Sequence, residues 1–96
     1  MHNKSDQPPI VFDPAKDLIN VQKHNGISLR EANAFEWESA IIWIDQRKNY
    51  EEERQIALGY IGQRLFVLVF VDREHECRVI SLRKANQREE SRYAET

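Results

Sequence analysis

Ninety-six residues, 41% hydrophobic and 31% charged, suit one folded domain near the lower size limit for a self-sufficient core, and exclude a wholly disordered chain. No apolar run reaches membrane-span length, MHNKSDQPP lacks the apolar core of a signal peptide, and a lone Cys77 forms no internal disulfide; together these predict a cytoplasmic protein with no membrane association. The net charge of −2 hides an asymmetry, since residues 1–53 carry 6 Lys+Arg against 10 Asp+Glu while residues 54–96 carry 8 against 6, which argues against a general nucleic-acid coat and allows a local anion site.

In chain order, residues 1–9 are polar, end in Pro-Pro and are expected to form a flexible arm before a single domain over 10–96. IVF reads as a short strand. Asp13 is a natural N-cap with Pro14 at the first helical position, and Asn25-Gly26 closes the following helix in a left-handed turn. Leu18, Ile19 and Val21, with Gln22, form that helix's apolar stripe. Ser28 and Glu31 make a capping box for a second helix, with Ile27 and Ala32 as its hydrophobic staple, and Leu29, Ala32, Phe35 and Trp37 are available to a core.

AIIWI reads as a strand by its β-branched and aromatic content, and DQRKNYEEE as a charged, solvated connection. RQIALGYI alternates, Gly62-Gln63 suits a hairpin turn, and RLFVLVFVD is apolar enough for a central strand buried on both faces. In CRVISLR, strict alternation puts Cys77, Val79, Ser81 and Arg83 on one face, and Arg78, Ile80 and Leu82 on the other. Cys77 then reads as core packing. Asn86 and Glu89 cap a last helix over Gln87 to Glu95. The order is β-α-α-β-β-β-β-α, an α+β chain whose later strands suit an antiparallel meander.

Chemistry gathers in two places. Arg83 ends a strand just before a helix N-terminus, with Arg88 and Arg92 four apart on that helix and Tyr93 one turn beyond Glu89. Guanidinium forks and helical N–H groups are good phosphate partners, although a solvated helix of Glu–Arg pairs reads the same residues. Lys23-His24 ends the first helix, where the macrodipole favours cations and raises a histidine's affinity for its proton. The pair offers an electrophile and a general acid or base, or simply helix-end complementarity. Glycine-rich phosphate loops, G-x-S-x-G and H-E-x-x-H are absent, and no His/Cys/Asp set stands at metal-ligand spacing.

Three segments carry a resemblance: FDPAKDLINVQKHNGISLREA, ERQIALGYIGQRLFVLVF and, above all, RVISLRKANQREESRY. In that order they resemble the BrnT toxins of bacterial type II toxin–antitoxin systems, over nearly the whole chain after the arm. The resemblance implies a compact α+β fold similar to the RelE toxins, an antiparallel sheet of about four strands with two N-terminal helices and one C-terminal helix. It further implies a cytoplasmic, metal-independent endoribonuclease without cofactors that slows translation. An antitoxin similar to BrnA, with a ribbon-helix-helix domain, would neutralise the toxin and carry the complex to operator DNA.

Matched by position, the resemblance implies a catalytic set of Arg83, Lys23, His24, Arg54 and Tyr93. Arg83 and Arg54 would serve the phosphate, Lys23 or His24 a proton, and Tyr93 a base. Arg64, Lys84, Arg88 and Arg92 would hold the RNA. The rival expectation is a non-catalytic binding module, in which Trp37 and Trp43 anchor a protein partner and the arginines meet an acidic partner or RNA.

Overall fold

The structure, a computed structural model, describes residues 8–96. Five strands form one sheet in the order β1-β5-β4-β3-β2: β1 (Ile10–Val11), β2 (Ile41–Ile44), β3 (Gln55–Ile61), β4 (Arg64–Arg73) and β5 (Glu76–Lys84). Strands β2 to β5 pair antiparallel as the expected meander, and β3 and β4 meet in a hairpin closed by Gly62 at φ +61°. As its sequence predicts, β4 is central and is buried on both faces from Leu65 to Val71.

Strand β1 falls where IVF is expected to extend, but it joins the sheet. It is a fifth strand, laid parallel to β5 with Ile10 beside Cys77 and Val11 beside Arg78, so the sheet is mixed and not a four-strand antiparallel one. The expected arm falls mainly outside the described residues, but Pro9 belongs to the sheet edge, its carbonyl accepting from the Cys77 N–H at 2.9 Å.

Helix α1 (Pro14–Lys23) starts as the sequence dictates, with the Asp13 carboxylate accepting from the Ala15 N–H at 2.8 Å and Pro14 just inside. It ends on His24, followed by Asn25 and Gly26 at φ +54° and +85°. The second expected helix is instead a short 3-10 turn, Leu29–Ala34, despite a complete capping box. Its position explains its brevity. Phe35 leaves the turn extended and bridges to Ile61, and its ring lies so close to Gly59 that a Cβ there would sit 2.7 Å from Phe35 Cζ. Another helical turn would run into β3. Helix α2 (Gln87–Ala94) carries the expected Asn86–Glu89 capping box.

The two faces of the sheet bury different residues. On one, Leu29, Ala32 and Phe35 pack on Phe66, Leu68, Phe70, Val79 and Leu82, with Trp37 held edge-on between Phe35 and Phe70 at 4.9 and 5.0 Å. On the other, Ile56, Leu58, Leu65, Val67 and Val69 are joined by Ala85, Ile80 and Tyr93.

Strict alternation along β5 fails. Val69 pairs with Ser81 but Phe70 pairs with Val79, which leaves Ile80 as a bulged residue. The extra residue changes the parity of the strand. Cys77, Val79 and Leu82 share the face under the 3-10 turn, whereas Ser81 and Arg83 lie on the opposite face with Ile80. Cys77 is core, as expected, and burial, followed by the charge of Asp72, pushes its thiol up to about 12.

The stripe expected to bury α1 is also different. Leu18 and Ile19 are 66% and 60% exposed, and the helix is anchored by a polar side chain instead. Asn20 is 4% exposed, donates to the Ile27 and Leu82 carbonyls at 2.9 and 2.8 Å, and accepts from the Leu82 N–H at 3.1 Å. Its amide takes the place of strand backbone along the edge of β5 beyond the two-residue β1.

Candidate active site

Because α1 hangs on the edge of β5, it walls one side of the open sheet face and creates a cleft of about 610 Å³. The floor is apolar, formed by Ile56, Val67, Val69 and Ile80 with Trp43. The α1 wall supplies Lys16, Ile19, Lys23 and His24. The end of β5 supplies Ser81 and Arg83, and the segment after β2 supplies Arg47. An apolar floor rimmed by a few convergent polar groups is the usual make-up of a ligand site.

Arg83 is delivered by the bulge and fixed by α2. Its Nη1 and Nη2 donate to Glu89 Oε1 and Oε2 at 2.8 and 2.7 Å, and Nη1 also reaches the Lys84 carbonyl at 3.2 Å. This pairing raises the Arg83 pKa and lowers that of Glu89. Glu89 therefore caps its helix and holds the arginine at once, its Oε1 also accepting from the Asn86 N–H.

His24 is tied to the same frame, its backbone N–H donating to the Asn20 carbonyl at 2.8 Å. Its environment opposes the effect expected from the helix end. Partial burial first, then the charges of Lys23 and Arg83, push the imidazole pKa down from 6.5. At neutral pH the ring is consequently unprotonated, with a nitrogen lone pair free to accept a proton.

Lys23, His24 and Arg83 thus meet in one cleft although they lie about sixty residues apart in sequence. The other candidates are placed elsewhere. Arg54 lies over the Tyr50 ring, its guanidinium carbon 4.2 Å from the centroid, and reaches the cleft only through neighbours. Tyr93 packs edge-on to Tyr60 at 5.4 Å, donates to the Ser39 carbonyl at 2.8 Å, and lines a separate depression with Tyr60, Gln63 and Leu65. Arg92 stacks on Trp43 at 4.2 Å and so adjoins the cleft floor. Arg88 and Lys84 are exposed on α2 and at the end of β5, while the exposed Arg64 donates to the Ala85 carbonyl at 3.3 Å.

A family model described as a ribonuclease toxin, BrnT, of a type II toxin–antitoxin system matches residues 12–89. The chain belongs to that family. No individually curated protein matches it. Membership in the BrnT family brings an RNA target and an antitoxin partner, and the matched span contains every residue named on the cleft. None of the described helices is long and apolar enough to cross a membrane.

Sequence reasoning missed several residues of this BrnT-family cleft. Asn20 gave no signal beyond being polar in an amphipathic helix, because its partner Leu82 is 62 positions away. Arg47 and Asp45 were absorbed into a connection read as merely charged. Glu89 was legible as a cap, but not as the anchor of Arg83.

Proposed function

We propose that this chain is an endoribonuclease that cuts RNA without a metal ion, by attack of a ribose 2′-hydroxyl on the adjacent phosphodiester. The observation that carries the reading is the convergence of an unprotonated His24, a charged Lys23 and a carboxylate-fixed Arg83 over an apolar floor. Neutral His24 accepts the 2′-hydroxyl proton as the 2′-oxygen bonds to phosphorus. Arg83 stabilises charge on the non-bridging oxygens, and Lys23 donates a proton to the 5′-oxygen as its bond to phosphorus breaks. The products are a 2′,3′-cyclic phosphate and a 5′-hydroxyl. The lining supports a metal-free route, since it is cationic and its one carboxylate, Glu89, is already engaged by Arg83 and the α2 cap.

Translated RNA is the substrate that fits inhibition of protein synthesis, and it places the reaction in the cytoplasm. The neutralising partner is an antitoxin similar to BrnA, with a ribbon-helix-helix domain through which the complex binds operator DNA. The exposed Leu18 and Ile19 beside the cationic cleft also favour a partner that is both apolar and acidic. This is the part of the binding-module reading that a specific observation favours. Of its two expected anchors, Trp37 is engaged with Phe35 and Phe70, and Trp43 lies on the cleft floor with Arg92 over its ring.

The test is incubation of the purified chain with mixed RNA in EDTA, beside Arg83→Ala, with product ends read by mass. Wild-type fragments bearing 2′,3′-cyclic or 3′-phosphate ends are expected, with the rate reduced about 10²–10³-fold in the variant, as for loss of one transition-state donor. An uncut RNA, with or without ribosomes, removes the enzymatic reading and leaves the binding module.

A further inference from the structure

We propose that Arg47 is a second phosphate-binding residue of the cleft, holding the RNA backbone from the wall opposite α1 while Arg83 holds it from the end of β5. The inference rests on the reading of the cleft as an RNA site. Its basis is how Arg47 is mounted. Asp45, the first residue past β2, is 4% exposed, and its carboxylate receives four donors. Arg47 Nε and Nη2 donate to Oδ1 and Oδ2 at 2.8 and 2.7 Å, the Arg47 backbone N–H to Oδ1 at 3.1 Å, and the Tyr50 hydroxyl to Oδ2 at 3.1 Å. These bonds, Arg47 first, hold the Asp45 carboxyl well below the usual carboxylate range, so the anchor is charged at neutral pH.

The asymmetry of the pair is informative. The carboxylate side chain is fully buried while the guanidinium side chain is 66% exposed. An ion pair serving stability alone gains little from an exposed partner. Here Nε and one Nη2 proton face the carboxylate, which leaves Nη1 and the second Nη2 proton without a hydrogen-bond partner among the described residues, on a side chain that lines the cleft. A guanidinium already held on one edge loses little further freedom when its other edge binds a phosphate.

Arg83 is built the same way on Glu89, and β3 and β4 separate the strands from which the two arginines depart. Two fixed forks therefore face each other across the apolar floor. Each fork keeps a cationic edge of unengaged N–H groups for one phosphate, and Lys16 and Lys23 add attraction from the α1 wall. Arg54, over the Tyr50 ring, supports the same mount at one remove and is a positioning residue.

The experiment measures binding of an uncleavable 2′-O-methyl oligoribonucleotide as salt is varied, for wild type, Arg47→Lys, Arg47→Met and the double variant Asp45→Asn/Arg47→Met. The double variant is needed because Arg47→Met alone strands a buried carboxylate. Each phosphate contact on a single strand contributes about 0.7 to the slope of log affinity against log salt. Loss of about 0.7 from the slope and about tenfold in affinity is expected in both methionine variants, with thermal melting confirming that they fold. Arg47→Lys is expected to keep the slope and lose cleavage rate, because charge survives and the fork does not. An unchanged slope in a folded methionine variant, beside wild type that cuts RNA, overturns the role of Arg47 alone. Wild type that neither binds the analogue nor cuts RNA overturns the RNA site itself.

Discussion

The two faces of the sheet are built from alternate residues of the same strands, yet they are put to opposite uses. Under the 3-10 turn, Leu68, Val79 and Leu82 are fully buried among Leu29, Phe35 and Phe70. On the cleft side Val67, Val69 and Ile56 are only slightly more exposed, at 6 to 8%, but with Trp43 and Ile80 they floor an open cleft rimmed by cationic side chains. Apolar alternation alone does not separate a packed face from a binding floor. The difference is in what arrives over each face: a short apolar turn on one, and lysine, histidine and arginine on the other.

That contrast can be broken from either side. Leu68→Ala has the largest expected effect on folding, about 2–5 kcal/mol lost to a cavity in the closed face, while cleavage per folded molecule stays near wild type. Chemical denaturation read with an RNA-cleavage assay separates the two quantities. A similar loss of cleavage per folded molecule would mean that the faces are not independent.

Asn20→Ala attacks the joint between the faces. It leaves the buried Ile27 and Leu82 carbonyls and the Leu82 N–H without a side-chain partner, and an expected loss of about 1–3 kcal/mol follows from leaving such groups unsatisfied. Cleavage should fall further than stability explains, because α1 carries Lys23 and His24 and β5 carries Arg83. Asn20→Asp keeps the acceptor for Leu82 N–H and should recover only part of both.

The smallest effect is on pH dependence. Since burial and the neighbouring cations lower the His24 pKa, the imidazole holds its proton less readily in the fold than in the unfolded chain. Its contribution to stability is present above about pH 6.5 and is lost as pH falls below that value, because the unfolded chain takes up the proton more readily. In the cleavage reaction the acid limb of kcat/KM should lie below 6.5. Lys23→Met, which removes the second cause of the shift, should move that limb upward. A limb above 6.5 in wild type would remove His24 as the base.

What the sequence made legible follows the range of the interactions concerned. The Asp13, Ser28–Glu31 and Asn86–Glu89 caps, the turn at Asn25-Gly26 and the Gly62 hairpin all depend on neighbours within a few positions, and each was readable. Central β4 announced itself by an unbroken apolar run. The helix expected after Ser28 is a 3-10 turn because Phe35 must lie on Gly59, a contact across 24 positions. Of the expected site, the grouping of Lys23, His24 and Arg83 in one cleft required the Asn20–Leu82 bonds, which no local pattern encodes. Arg54 and Tyr93 were matched by position, and their surroundings, the Tyr50 ring and the Ser39 carbonyl, became visible only in three dimensions.

The bulge at Ile80 is a residue of slack, one more on β5 than β4 can match. Removing it would restore regular pleating and still leave Ser81, Leu82 and Arg83 opposite Val69, Leu68 and Val67, on the faces they hold now. Flattening it at unchanged length would instead slide the end of the strand by one place, turning Arg83 toward the apolar interior and Leu82 to the water. Homologous chains that keep the site should therefore lack the surplus residue more readily than they shift the pairing of Ser81 with Val69.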